Sequence, residues 1–257
     1  MHVLIQKEAV VPSLDKYHPE LRPHIDTLKA MGLAAEERMG LTTEDLNLND
    51  IWYRAMDSVV REYGNDLEAK GQQIRLRDMR PDPEERFRSG VYSIPFLHPA
   101  YCDMLLTEVA AMSFAVNPDE TAEVQIPEIT LADVCPTMHS ALHGLFNNVV
   151  NPLTKVLYQL EQSKMSSIQF AQYTPENTAH GNWHHDRDSD ITLVVALSDF
   201  HKGGGTLVKP QGLGEPFEVP QLPVGHGMLF QGSRTLHKGL PVLEGARNLL
   251  VFWSELK

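Results

Sequence analysis

The sequence predicts an α+β protein with a mainly β core, a sandwich or jelly-roll barrel fronted and flanked by helices. Three observations predict it. Apolar residues recur at helical spacing through much of the first 160 positions. After Lys164 they fall instead into short extended runs. Glycine and proline separate those runs, where an α/β sheet would need helix-length connections.

Residues 1–89 are expected to be a helical N-terminal region, near the mouth of a site or at a subunit contact. Leu21, Ile25, Leu28, Met31 and Leu33 mark one helix over about 20–39, with Gly40 placed to stop it. Asn47 or Asn49 can cap a second helix bearing Ile51, Trp52, Met56, Val59 and Val60, with Gly64 as its C-terminal residue. Residues 78–85 carry two prolines and mixed charge and read as a connector.

A second region, 90–257, begins with alternation over Val91–Phe96 that predicts a strand. Helical support is expected over 99–162, starting with a helix over about 99–114 and an acidic loop at 117–120. An extended piece follows at 124–129, then a helix carrying Leu142, Leu145, Phe146 and Val149. Asn151 followed by Pro152 fits a cap and first position of a further helix, with one continuous kinked helix as the alternative. The β core is expected over 168–254, with strands at 168–173, 190–197, 206–209, 217–219, 227–230 and 248–253. In the second of these, Ile191, Leu193, Val195 and Leu197 share one face, and Thr192, Val194 and Ala196 the other.

With 257 residues, 42% hydrophobic and 22% charged, the chain can bury a full core. Its net charge of -12 argues against binding phosphate backbones or anionic membranes without sequence preference. Arg75, Arg77, Arg80, Arg86 and Arg88 form a local basic cluster, read first as a solvated linker. Cys102 and Cys135, the two cysteines, suit buried small hydrophobes better than a disulfide framework or thiolate cluster. The first residues lack the apolar core of a secretory signal, and no apolar run approaches a membrane span, so a cytoplasmic location is expected.

The chemistry concentrates between His184 and Arg247. On a strand, His184 and Asp186 would point to one side and His185 away. A histidine and a carboxylate at that spacing need a third ligand from elsewhere, and His201, His226 and His237 are available. His237 is the best of them, because it opens a segment that ends at Arg247 on the last core strand. Two imidazoles and a carboxylate on one side of a divalent iron leave coordination positions open for oxygen chemistry. Arg247 is then placed to pair bidentately with the far carboxylate of a small diacid. His226, between two glycines, reads as a turn residue, and Gly203, Gly204 and Gly205 read as a backbone requirement, not a phosphate loop.

These residues give the chain a family likeness. Tyr173-Thr174-Pro175-Glu176, His184-His185-Asp186, Gly203 to Leu207, and His237 to Pro241 followed by Arg247 resemble the Fe(II)/2-oxoglutarate-dependent dioxygenase superfamily. They resemble most closely the catalytic domains of procollagen lysyl and prolyl hydroxylases. The resemblance covers about 168–254, more faintly 90–167, and nothing in 1–89. It implies a double-stranded β-helix with flanking helices, His184, Asp186 and His237 as iron ligands, and Arg247 on the distal carboxylate of 2-oxoglutarate. It also implies Tyr173 as a helper in holding that co-substrate, O2 as oxidant and ascorbate as a supporting reductant. Asp186 stands where related halogenases carry a small residue, which favours hydroxylation. The implied partner is an amino acid, a peptidyl residue or a similar small molecule. A homodimer is compatible with this reading, a nucleobase substrate less so. The alternative is a metal-binding β-barrel without activity.

Overall fold

A computed structural model describes residues 12–37, 41, 43–64, 89–116, 118, 125–177, 180–210 and 215–256. Gly40, the arginine cluster at 75–88, the connector at 78–85 and most of the acidic loop at 117–120 lie outside the described residues.

The N-terminal helices form where the apolar spacing placed them, with boundaries set by packing. After a 3-10 turn at Arg22–His24, α1 (Ile25–Glu37) buries Ile25, Leu28, Met31, Gly32 and Ala35. Leu33 falls off that stripe and is exposed. Two further helices follow, α2 (Thr43–Leu48) and α3 (Asp50–Val59). Asn49 caps α3, its side chain accepting from the Trp52 N–H at 3.2 Å. The helix ends at Val59 and not at Gly64, because the chain turns directly into β1 (Arg61–Glu62), which pairs antiparallel with β2 (Tyr92–Pro95).

Next come α4 (Pro99–Val109), β3 (Glu128–Thr130), α5 (Leu131–Val134) and α6 (Pro136–Tyr158). Asn151 and Pro152 do not start a new helix: α6 runs through them. The reason is tertiary. Asn151 pairs with the backbone of Gln162, accepting its N–H at 3.1 Å, and so is not spent as a cap. Pro152 sits against α1 at Gly32, where a Cβ would come within 2.8 Å of the proline ring. Close approach through a glycine outweighs the local break that proline favours.

From Gln162 the chain is strands: β4 (Gln162–Tyr173), β5 (Ile191–Ala196), β6 (His201–Gly203), β7 (Thr206–Lys209), β8 (Phe217–Val219), β9 (His226–Phe230), β10 (Leu236–Gly239), β11 (Val242–Gly245) and β12 (Arg247–Leu256). Seven strands form the major sheet in the order β1-β2-β9-β5-β12-β4-β3. Opposite it lie β10-β7-β8 and the pair β11-β6. This is the double-stranded β-helix arrangement, a jelly roll closed by a major and a minor layer.

The two faces of β5 explain the layering. Ile191, Leu193 and Val195 join the main core with Leu145, Phe146 and Phe252, so helices cover that face. The rings of Phe146 and Phe252 stack at 5.5 Å. On the other face Val194 and Ala196 pack with Val208, Val219 and Phe230, and the candidate site opens there. Through α6, α1 is tied to the helical side of the sheet.

Candidate metal centre

His184 does not lie on a regular strand; it makes one isolated bridge to His237, with paired backbone bonds of 2.9 and 3.0 Å. The chain then turns, and the Asp186 N–H donates to the Gly232 carbonyl at 3.1 Å. His184 and Asp186 therefore face the same point by way of a turn, not a pleat, while His185 is exposed. His237, on β10, completes the set: the ligand atoms of His184, Asp186 and His237 all lie within 4.8 Å of one another.

The hydrogen bonds around these rings fix what faces the centre. Nδ1 of His184 lies 2.7 Å from the Asn182 carbonyl, and Nδ1 of His237 lies 3.0 Å from that of Thr235. A carbonyl only accepts, so each Nδ1 carries a proton, and each ring in its neutral form turns the lone pair of Nε2 inward. Those Nε2 atoms stand 3.4 and 3.7 Å from Asp186 Oδ1. Three electron-pair donors thus converge. Burial pushes His237 below the ordinary imidazole value, against the pull of Asp186, which keeps it neutral. Burial also opposes the charge on Asp186, but His184 and His237 in their protonated form and the Thr192 hydroxyl outweigh it and hold the carboxyl below its usual range; a bound cation takes the place of those two ring protons. An ionised carboxylate and neutral imidazoles are the state that binds a divalent cation.

Three neighbours hold this set, and none carries a sequence motif. Thr192, fully buried on β5, donates from Oγ1 to Asp186 Oδ2 at 2.7 Å. Gly232 permits the approach of the Asp186 turn; a Cβ there would lie 2.8 Å from the Ser189 carbonyl oxygen and 3.0 Å from Asp186 Cβ. Phe230 meets the His237 ring edge-on at 4.7 Å. Only the face alternation of β5, which points Thr192 away from the helices, hinted at any of them.

Arg247 opens β12 and pairs in register with Tyr173 of β4. It arrives from the major sheet and not as a continuation of the His237 strand, since β11 intervenes and pairs with β6. Its guanidinium sits 5.8 Å from the centre of the Tyr173 ring. Among the described residues its one hydrogen bond runs from Nε to Gln221 Oε1 at 2.9 Å, and no carboxylate pairs with it. Burial lowers its pKa from the ordinary guanidinium value. Beside it lies a small pocket between the sheets, lined by Thr206, Gln221 and Arg247 and by apolar Val194, Met228 and Leu249.

His201 and His226, the other two histidines considered as third ligand, do not join His184 and Asp186. His201 lies beside Arg247; both its ring nitrogens are buried without a hydrogen-bond partner among the described residues, and burial and the Arg247 charge push its pKa below the ordinary imidazole value, with Gln221 opposing. His226 begins β9, beside His18. The glycine triplet is a backbone requirement, as expected. Gly203, Gly204 and Gly205 all have positive φ, and a Cβ on Gly204 would reach within 3.2 Å of Arg247 Cδ.

The same architecture occurs in proteins of known structure. A 2OG-Fe(II) oxygenase family oxidoreductase from Burkholderia pseudomallei aligns with a TM-score of 0.51 at 15% identity, over 65% of this chain and 85% of that one. The chain has the 2OG-Fe(II) oxygenase fold. A second protein with this fold, the non-heme alpha ketoglutarate dependent carbocyclase SnoK from nogalamycin biosynthesis, aligns at 0.52 and 14% identity, over 66% of this chain and 80% of that one. No family model and no curated protein matches the sequence. Among the described residues, no helix of this 2OG-oxygenase fold is long and apolar enough to cross a membrane.

Proposed function

We propose that the protein is an Fe(II)- and 2-oxoglutarate-dependent dioxygenase that hydroxylates an unactivated C–H bond of an amino acid, a peptidyl residue or a similar small substrate. The observation that carries this reading is the convergence of two inward Nε2 lone pairs on an ionised Asp186. Without a cation between them these are three electron-rich atoms facing one another, two of them on buried side chains, and two protonated imidazoles with ring centres 4.3 Å apart would repel. A divalent metal satisfies all three, and a two-histidine, one-carboxylate set suits iron(II).

The fit to the co-substrate rests on Arg247. A buried guanidinium that has no carboxylate partner among the described residues is costly unless an anion enters beside it. Gln221 holds Nε and leaves the Nη groups for a bidentate pair with a carboxylate. Nη1 lies 3.7 Å from where a Cβ on Gly239 would stand. Gly239 follows His237 by two residues on β10, about 7 Å of strand. A five-carbon diacid held at one end by Arg247 would extend along β10 toward His237.

Each side chain then has a task. His184, Asp186 and His237 hold the iron, and Arg247 fixes the far carboxylate so that the 2-oxo acid enters in one orientation. Tyr173 covers the guanidinium and shields that ion pair from water. Thr192 keeps the Asp186 carboxylate turned inward. The iron, when bound, supplies the oxygen chemistry that turns 2-oxoglutarate into succinate and carbon dioxide while the substrate is oxidised.

The test is succinate formation by purified protein with Fe(II), ascorbate and 2-oxoglutarate, across a panel of free amino acids and of lysine- and proline-containing peptides. Succinate that rises with one class of substrate supports the reading and identifies that class. Stoichiometric iron with no succinate, with or without substrate, would favour a metal-binding β-barrel that has no activity.

A further inference from the structure

We propose that His18, Glu20 and His226 form a second divalent-cation site, of the zinc type, that clamps the N-terminal segment to the start of β9. The ligand atoms of these three residues also lie within 4.8 Å of one another. The two imidazoles meet edge to face, with ring centres 4.9 Å apart and planes at 73°. They are separated by 208 positions in the chain (226 minus 18). Nothing in local sequence brings them together.

What brings them together is backbone, and that makes the site preorganised. The His18 N–H donates to the Phe96 carbonyl at 3.0 Å, and Tyr17 bridges Leu97. From the other side, the Gly225 carbonyl accepts from the N–H groups of Phe96 and Leu97 at 3.0 and 2.8 Å. Gly225 has φ +84 and is packed so closely on the Leu97 carbonyl that a side chain would collide with it. His18 and His226 are thus both anchored on the 96–97 segment, and their spacing is set before any ligand arrives.

The donor set fits a borderline cation. Two imidazole nitrogens and one carboxylate oxygen are ligands zinc accepts in a tetrahedral site, and exposed Glu20 leaves the fourth position to water. Burial pushes both rings below the ordinary imidazole value, with Glu20 opposing, so both present lone pairs near neutral pH. Ligation has a small cost. Whichever nitrogen of His18 binds, the ring gives up its long 3.3 Å contact between Nδ1 and the Glu20 N–H. The site is separate from the first cluster: it lies at the opposite end of β9 from Phe230, which packs on His237, about 13 Å of strand away.

The experiment is zinc stoichiometry on the full chain, by elemental analysis after gel filtration, with a thermal melt alongside. Wild-type protein should retain two equivalents, and His184→Ala/His237→Ala should retain one and still melt higher with zinc. Glu20→Ala, at an exposed position, should lower the wild-type stoichiometry from two to one. His226→Ala on the His184→Ala/His237→Ala background should abolish both binding and the zinc-dependent shift. A His184→Ala/His237→Ala protein that retains no zinc would overturn the proposal. So would a second equivalent that survives both Glu20→Ala and His226→Ala, because that zinc would be bound elsewhere.

Discussion

Replacing Thr192 by valine tests the metal centre without touching a ligand. The substitution keeps the branched shape of a fully buried side chain and removes one hydroxyl. That hydroxyl donates to Asp186 Oδ2 at 2.7 Å and stands 2.9 Å from Ser189 Oγ. A hydrogen bond to a charged group contributes about 1.5–3 kcal/mol. In the metal-free protein, its loss leaves a buried carboxylate with one fewer donor, so stability should fall by roughly that amount. With metal bound, Oδ1 would still be the atom facing it, but the carboxylate would be free to rotate away from the line joining it to the two Nε2 atoms. Losing a group that orients a ligand typically weakens metal affinity by about 10- to 100-fold, or roughly 1.4–2.8 kcal/mol. Manganese(II), a redox-stable stand-in for iron, allows the affinity to be read by calorimetry, with urea unfolding on the same samples. A Kd within about twofold of wild type, in a variant whose stability has fallen as expected, would mean that Asp186 does not bind the metal through this carboxylate.

Three further outcomes follow from the same geometry. Arg247→Gln should raise the 2-oxoglutarate concentration needed for succinate formation while leaving bound iron unchanged; loss of iron in parallel would assign Arg247 to folding. Gly232→Ala forces a Cβ against the Thr192 hydroxyl, the Ser189 carbonyl and Asp186, so it should cost about 1–3 kcal/mol of stability and weaken manganese binding; unchanged binding would show that Thr192 and the 186–189 turn give way freely. The third concerns alkali. Burial pushes the Cys102 thiol up to about 12 from 9.0, and the Tyr17 and Tyr101 hydroxyls up to about 12 from 10.0. The folded state therefore holds these protons where the unfolded chain releases them, so stability is intact below pH 9 and declines between pH 9 and 12. Urea midpoints across that range measure the decline, and Cys102→Ala should remove its lower part. A flat profile would refute the burial of these groups.

The β core was legible where strands are apolar. The expected bounds 206–209 and 217–219 coincide with β7 and β8, and β5 differs by one residue at each end. Between 168 and 254 the strands that escaped are β6, β10 and β11, built from residues such as His201, Lys202, Lys238, Gly239 and Glu244. They lie in the thin minor layer, half exposed, and their pairing is set by the partner strand, not by side-chain alternation. At Asn151 and Pro152 the alternative of one continuous helix is the one that forms, because their local cap signal is overruled by Gln162 and Gly32. At the site, His184, Asp186, His237, Arg247 and Tyr173 were visible as residue types at characteristic spacings. Thr192, Gln221 and Gly232 were not, since each matters only through what it touches.

One strand accounts for where the chemistry lies. The odd-numbered residues of β5, from Ile191 to Val195, are apolar and commit that face to the helices. The opposite face then has to meet the minor layer, and its first residue is a threonine. A hydroxyl buried at that position needs a partner. Asp186 is six residues earlier and is returned by the turn that Gly232 permits. Position 192 thus ties the carboxylate to the major sheet, while the bridge between His184 and His237 ties both imidazoles to the minor layer. The centre forms only when the two layers close on each other. Loss of the layer contact should therefore abolish metal binding before it unfolds the helical side.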